Sequence, residues 1–439
     1  MLKWLIISIF VVSNYNTYYI SPLEQVKNLC DTALRSQSAI KASFISFFRE
    51  VIIGVFAIRG RVNFLQLSRY SKSCEQRFRQ NFHKDFDWIA FNRNLMDKPV
   101  GHRCAIAIDP SFISKSGKHT PGISYFWSGC AQAAKRGLEI LGIALVDADT
   151  REAFAIRAVQ TILEQKATDK HPECTKHIKQ DTLVAHYLHA LDTYKEQLHE
   201  MSRIIVADAF FSKSTFVQGL DSLGFELVSR FRDDVRLRYL YTGEQTGKRG
   251  RPKRFDGMVD QTKLRKGIFE KEVIVWDKQE VTVYSAVLYA VSLKRKVKAV
   301  IVNFEDDDKK TQTRKVFFST DCTMSAKDVI DIYRSRFQIE FLFRDAKQFT
   351  GLTHCQARDE KALDFAFNLS LSAINVAKAV CRQQNINLSI ADFKLLINNT
   401  IMVERFLSMF GQMPNINKNK RLKEHYVKEL ILYGLKYSQ

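Results

Sequence analysis

No Cys-x-x-Cys pair occurs in this 439-residue sequence, and its eight cysteines (30, 74, 104, 130, 174, 322, 355 and 381) stand too far apart to form a compact framework. That spacing excludes a small disulfide-stapled secreted scaffold and fits reduced thiols in a cytosol. A membrane-spanning run is also missing at the amino end. Leu5 to Val12, interrupted only by Ser8, sits behind Lys3 as the apolar part of a signal peptide would. It is too short to cross a bilayer, and no small-x-small cleavage motif follows. The segment reads as a hydrophobic strand or an over-extended start, and a secreted or membrane-associated protein rests on these residues alone. Acidic charge is the third deficit: 47 Asp and Glu face 67 Lys and Arg, a net charge of +20. Such an excess favours a polyanionic partner, although a generally basic surface would give the same total.

What is present is ample apolar content, 46% of residues, and a length sufficient for two to four domains. Residues 1–20 form the apolar segment. Residues 21–98 carry helical periodicity, with Pro22 at a first turn and apolar positions through Phe44, Phe48 and Val51. Around an apolar stripe of Phe64, Leu67, Phe78 and Phe82 lie several basic residues. This is expected to be a separate small helical domain, either a helix-turn-helix reader of DNA or a helix with a basic solvated face. The period then changes. Runs at 104–109, 140–147 and 153–159 read as buried strands, followed by a helix over about 179–200, the strand Arg203 to Asp208, a helix from about Ser212 and the strand Phe225 to Arg230. Residues 99–234 thus open an α/β core. Between 235 and 319 β-type runs (273–276, 281–291, 297–304 and 315–319) predict an inserted β domain. Residues 320–380 resume the core with a helix from Ser325 to about Thr350, stopped at Gly351, and 381–439 are helical.

Asp109 and Asp208 each close an apolar strand, where a carboxylate leaves the core and invites a cation. A strand-end Asp is also a common turn or cap residue. The helix from Ser325 sharpens the choice. Tyr333, Arg336, Glu340 and Lys347, spaced Y-x2-R-x3-E-x6-K, fall within roughly 60° of one another on a regular helix, leaving Ile330, Phe337 and Phe341 to face the core. One carboxylate between cationic and phenolic groups suits a phosphate backbone beside a metal site. An ordinary solvated face with an Arg336–Glu340 ion pair is the plainer account. His171-Pro-Glu-Cys174-Thr-Lys-His177 has ligand-type residues but no second metal-binding half, and reads as a polar loop. Lys248-Arg249-Gly-Arg251-Pro-Lys253-Arg254 resembles an AT-hook. It reads as a phosphate or minor-groove contact, or as a solvated basic loop. Trp276 suits either stacking on an unpaired base or core packing.

The Tyr-Arg-Glu-Lys helix behind two strand-end aspartates resembles bacterial insertion-sequence transposases of the DDE type, in particular the insertion-sequence-four group. The resemblance runs over about residues 59–380. It implies an RNase H-like mixed sheet flanked by helices and interrupted by an inserted β domain, with helical terminal regions. It further implies that Asp109, Asp208 and Glu340 are catalytic and bind two Mg²⁺ ions, with Mn²⁺ able to substitute, for cleavage at transposon ends and strand transfer. Tyr333, Arg336, Lys347, Arg249, Arg251, Lys253 and Arg254 would contact DNA. The implied partners are double-stranded DNA, as terminal inverted repeats and target, and a second copy in a synaptic dimer, with no membrane. The implied location is the bacterial cytoplasm, at the nucleoid. A nuclease that cuts without joining and an inactive domesticated DNA-binding protein share the same core and remain as alternatives.

Overall fold

The structure, a computed structural model, describes residues 21–37, 40–96, 103–117, 119–162, 182–245, 251–276, 279–306, 311–409 and 429–435. The apolar segment 1–20, the His171 to His177 loop and Arg249 lie outside these described residues. Among the described residues no helix is long and apolar enough to cross a membrane.

The first core strand, β1 (Cys104–Ser114), is apolar on both faces because both faces are covered. Ala105 and Ala107 enter one hydrophobic cluster, and Ile106 and Ile108 enter the other. Along its whole length β1 pairs antiparallel with β3 (Ala133–Asp147), from Cys104 opposite Asp147 to Ser114 opposite Gly137. Outside β3 lie β2 (Ser124–Ser128) and β4 (Glu152–Gln160), both antiparallel to it. On the other side β5 (Ile204–Val206) runs parallel to β1, and β6 (Glu226–Arg230) parallel to β5. The order β4-β3-β1-β5-β6 is RNase H-like.

From β6 the sheet continues. β12 (Thr311–Ser319) pairs antiparallel with β6, followed by β11 (Arg295–Asp306) and β10 (Gln279–Ala290). β7 (Leu237–Leu240) and β9 (Glu270–Trp276) then pair with β10, and β8 (Phe255–Met258) with β7. The inserted β region therefore extends the core sheet to twelve strands. Strands β2, β7 and β8 were not anticipated from the sequence; each is only four or five residues long, too short for a periodic pattern.

Helices cover both faces. On one side lie α6 (Leu183–Thr193), α7 (Lys195–His199) and α8 (Ser214–Leu223). The expected single helix over 179–200 is divided at Tyr194, and its described part starts after the Thr182 cap. The other side holds the amino-terminal helices α1 (Pro22–Arg35), α2 (Ala42–Ala57), α3 (Phe64–Arg69), α4 (Glu75–Asn81) and α5 (Trp88–Asn94). Rather than forming a core of their own, they share one with the carboxy-terminal helices α11 (Glu360–Gln383) and α12 (Ile390–Met409). The phenylalanines of α2 explain this. Phe47 packs on Phe365 and Phe56 on Phe393, with ring centroids 6.0 and 5.1 Å apart.

Helix α11 also protects the outer edge of β4, whose only strand partner among the described residues is β3. Ala158 N–H donates to Asn368 Oδ1 (2.7 Å), and Asn368 Nδ2 donates to the Ala158 carbonyl (3.0 Å). One heptad on, Asn375 makes the same pair of bonds with Ala155, at 3.0 and 2.8 Å. Each buried amide stands in for one peptide of a missing strand. Asn375→Ala should therefore cost on the order of 3 kcal/mol in denaturant unfolding, because it leaves a buried N–H and C=O unpaired. A loss below ~1 kcal/mol would show that the edge does not depend on the amide.

Candidate active site

Asp109 lies in the middle of β1, not at its end as the sequence suggested. The reason is pairing: β3 carries the strand on through Pro110 opposite Leu141, whereas the parallel ladder to β5 stops at Ala107 and Val206. Asp109 is thus two residues beyond the point where one side of β1 loses its neighbour. Its counterpart Asp208 follows β5 by two residues and caps the short 3₁₀ turn Ala209–Phe211, accepting from Phe210 N–H at 2.9 Å. Ser229 on β6 donates to the Asp208 carbonyl at 2.9 Å, fixing that turn to the sheet.

The predicted continuous helix from Ser325 to Thr350 is three pieces. α9 (Ala326–Ser335), capped by Ser325, is followed by α10 (Gln338–Asp345) and a π turn, Ala346–Thr350, closed by Gly351 in the left-handed conformation. At the α9–α10 junction the bonds tighten to three-residue spacing: Arg336 N–H donates to Tyr333 and Glu340 N–H to Phe337. This junction turns Phe337 outward, 49% exposed, while Ile330 remains fully buried. The tight junction overwinds the chain and the π turn underwinds it, in opposite senses. Tyr333, Arg336, Glu340 and Lys347 consequently still come to one side, facing the sheet.

Arg336 joins the two halves of the site. Its guanidinium lies 2.8 Å from Glu340 and 3.7 Å from Asp109, and its own side chain is only 11% exposed. Burial, reinforced by the negative charges of Asp208 and Glu340, raises the Asp109 carboxyl to about 7, against the opposing pull of Arg336 and Lys347. Burial also lowers Lys347, with Asp109 opposing that shift, and raises Tyr333. All six residues therefore belong to one electrostatic cluster. Arg336 Nε is buried without a hydrogen-bond partner, so the guanidinium is held in the fold by its ion pairs with Asp109 and Glu340.

Packing sets this geometry. Gly142 faces Asp109 across the β1–β3 ladder, and a Cβ there would stand 2.4 Å from Phe343 Cζ. The bare glycine lets the Phe343 ring lie against the sheet, and Phe343 is one helical turn from Glu340.

Beside the cluster opens a cleft of about 330 Å³ whose cations are Arg151, Arg230, Lys315, Arg334 and Arg336, with no Asp or Glu in its lining among the described residues. Sequence reasoning passed over Arg230, although it ends the apolar strand β6 much as Asp208 follows β5. Trp276 forms one wall and takes the packing role, against Phe304 and Phe317 and beneath the Arg334 guanidinium, 4.7 Å from the ring centroid. Arg251, Lys253 and Arg254 are exposed ahead of β8, which is separated from β1 by six strands in sheet order, and are not brought to the carboxylates. Lys253 is paired with Asp256 at 2.9 Å.

Residues 48–277, just over half of the chain, match the family described as DDE superfamily endonuclease. The chain belongs to this family. The matched segment contains Asp109 and Asp208 and ends before Glu340. No curated protein is similar enough to the chain to count as a match. Membership in the DDE endonuclease superfamily makes DNA the substrate and divalent-metal-dependent phosphodiester cleavage the reaction. The site's chemistry is compatible with that requirement: three carboxylates offer only hard oxygen donors, and the like charges that raise Asp109 are those an added cation would relieve. As they stand, no three Asp, Glu, His or Cys side chains among the described residues are close enough to enclose a metal ion. Arg336 supplies the compensating charge between Asp109 and Glu340.

Proposed function

We propose that this protein is a DNA transposase of the insertion-sequence-four type, which cuts at its terminal inverted repeats and joins the freed ends to target DNA. The observation that carries the reading is the Arg336 guanidinium between Asp109 and Glu340. It ties the helix that follows the β insertion to the strand bearing the first aspartate. Asp109, Asp208 and Glu340 would hold two Mg²⁺ ions, with Mn²⁺ as a substitute. Bound there, the metal supplies activation of water or a DNA 3′-hydroxyl and stabilisation of the leaving oxygen.

The chain's own cations do the positioning. Arg336 and Lys347 hold non-bridging oxygens of the scissile phosphate, and Tyr333 orients Arg336 beside them. The cleft cations Arg151, Arg230, Lys315 and Arg334 carry the backbone away from the cut. Arg251, Lys253 and Arg254, and Arg249 outside the described residues, contact DNA at a distance from it, as do the helices of residues 21–98. Two copies bring paired ends together in a synaptic dimer at the bacterial nucleoid.

The test is a cleavage and joining assay on DNA bearing the repeats that flank the reading frame, with Mg²⁺ or Mn²⁺. Release of the ends and their insertion into a second DNA are expected. Glu340→Gln should abolish both steps, while Tyr333→Phe should weaken them. Cutting without any joined product would replace the transposase with a nuclease.

A further inference from the structure

The β2–β3 hairpin carries two large aromatic side chains that nothing in the fold uses. Tyr125 is 71% exposed and Trp127 65% exposed, whereas Phe126 between them points inward and is buried. In the hairpin register Tyr125 stands opposite Arg136 and Trp127 opposite Ala134. Both rings and the Arg136 guanidinium therefore share one outward face, and the small Ala134 leaves the indole uncovered. Two large rings next to each other on one exposed face make an apolar patch of the kind that marks an interaction surface.

Charge identifies the partner. From Pro110 to Leu138 there is no Asp or Glu, while Lys115, Lys118, Lys135 and Arg136 are all cationic. Of these cations among the described residues, Arg136 shares the outward face of Tyr125 and Trp127, whereas Lys135 stands opposite Phe126 and Lys115 donates to the Cys355 and Ala357 carbonyls. Two exposed rings beside a guanidinium, on a hairpin whose sequence carries no acid, match the paired demands of a nucleic-acid strand: planar bases to stack on and phosphates to neutralise. Position agrees. Cys130, at the hairpin tip, is within electrostatic range of the Lys347 ammonium, which in turn senses Asp109. At the hairpin's base, a Cβ on Gly137 would meet the Ile113 carbonyl oxygen at 2.5 Å, so glycine lets β3 pass tightly against β1 there. The hairpin is thus built onto the strand that bears Asp109.

We infer that the β2–β3 hairpin is a DNA-contacting element in which Tyr125 and Trp127 stack on unpaired bases beside the carboxylate cluster and Arg136 holds the adjoining backbone. It rests on the reading that this cluster cuts DNA. An unpaired strand is the substrate such rings require, because bases inside a duplex offer no free face. The hairpin would hold a frayed or newly cut end in place for the next step.

The test uses the full chain in EDTA, so that binding is read without cleavage, and two labelled probes: a blunt duplex and the same duplex with a short unpaired 3′ tail. The wild type should prefer the tailed probe. Tyr125→Ala/Trp127→Ala should weaken binding to that probe by about tenfold or more, with blunt-duplex binding and thermal unfolding unchanged. Tyr125→Phe/Trp127→Phe, which keeps the ring faces, should retain the preference. Equal losses on both probes, or none on either, would overturn the stacking role. So would sedimentation showing a dimer that the double alanine variant dissociates, since the rings would then cover a second copy. A wild type that binds neither probe would instead overturn the DNA-cutting function itself.

Discussion

Asp109→Asn is expected to reduce DNA cleavage about a thousandfold, equivalent to ~4 kcal/mol of transition-state stabilisation, and yet to make the folded protein more stable at pH 8. Both effects come from one carboxylate. In the folded chain Asp109 binds its proton up to about pH 7, because burial and the neighbouring Asp208 and Glu340 penalise the anion more than Arg336 and Lys347 favour it. In the unfolded chain the same group titrates near 3.8. Between these values the native state holds a proton that the unfolded state has released, so stability falls as pH rises through this window. Above pH 7 the buried anion costs up to about 4 kcal/mol, a cost that neutral asparagine avoids. Unfolding in EDTA at pH 5 and pH 8 tests the sign: the wild type should lose more stability than the variant over that interval. A variant no more stable than wild type at pH 8 would show that Asp109 is not strained by burial. Wild-type cleavage by the variant would remove it from the catalytic set.

That opposition between function and stability was legible only in part from the sequence. The apolar run ending in Ile108-Asp109 places a carboxylate on a core strand, but its surroundings come from Arg336 and Glu340, more than two hundred residues away. The Tyr333 to Lys347 spacing put four polar residues on one helix face, and the fold brings Arg336 of that face to Asp109. The spacing could not show the break at Arg336–Phe337, because neither residue is a helix breaker and the junction follows from packing α9 and α10 separately on the sheet. The two segments that misled did so through tertiary effects. Five short amino-terminal helices look self-contained until the phenylalanines of α2 are seen to pack on α11 and α12. The inserted β runs look like a separate domain until β12 pairs with β6 and continues the sheet. Core strands of the RNase H-like half were readable because they are apolar on both faces. The short strands β2, β7 and β8 carry half a pattern each and take their conformation from a neighbour.

Gly142→Ala should impair cleavage by about a hundredfold or more without touching any charged residue. The added methyl would lie 2.4 Å from Cζ and 2.9 Å from Cε1 of Phe343, a ring that is itself only 5% exposed, within the packed core. Relief must come from lifting α10 off β3. Because Glu340 is one turn from Phe343 and Gly142 is the cross-strand partner of Asp109, that movement lengthens the Glu340 to Asp109 separation and disturbs the Arg336 bridge. The stability cost of such overpacking is about 1–3 kcal/mol, too little to unfold a domain of ordinary stability. Activity should therefore fall far more than stability. A compensating change separates this account from simple damage to the fold: Phe343→Leu in the same chain removes the ring edge that the methyl strikes. The double variant should recover a large part of the lost activity, giving a strongly non-additive cycle. Additive losses in cleavage would mean that the glycine and the ring act independently, and the placement of Glu340 would then have to depend on contacts other than this one.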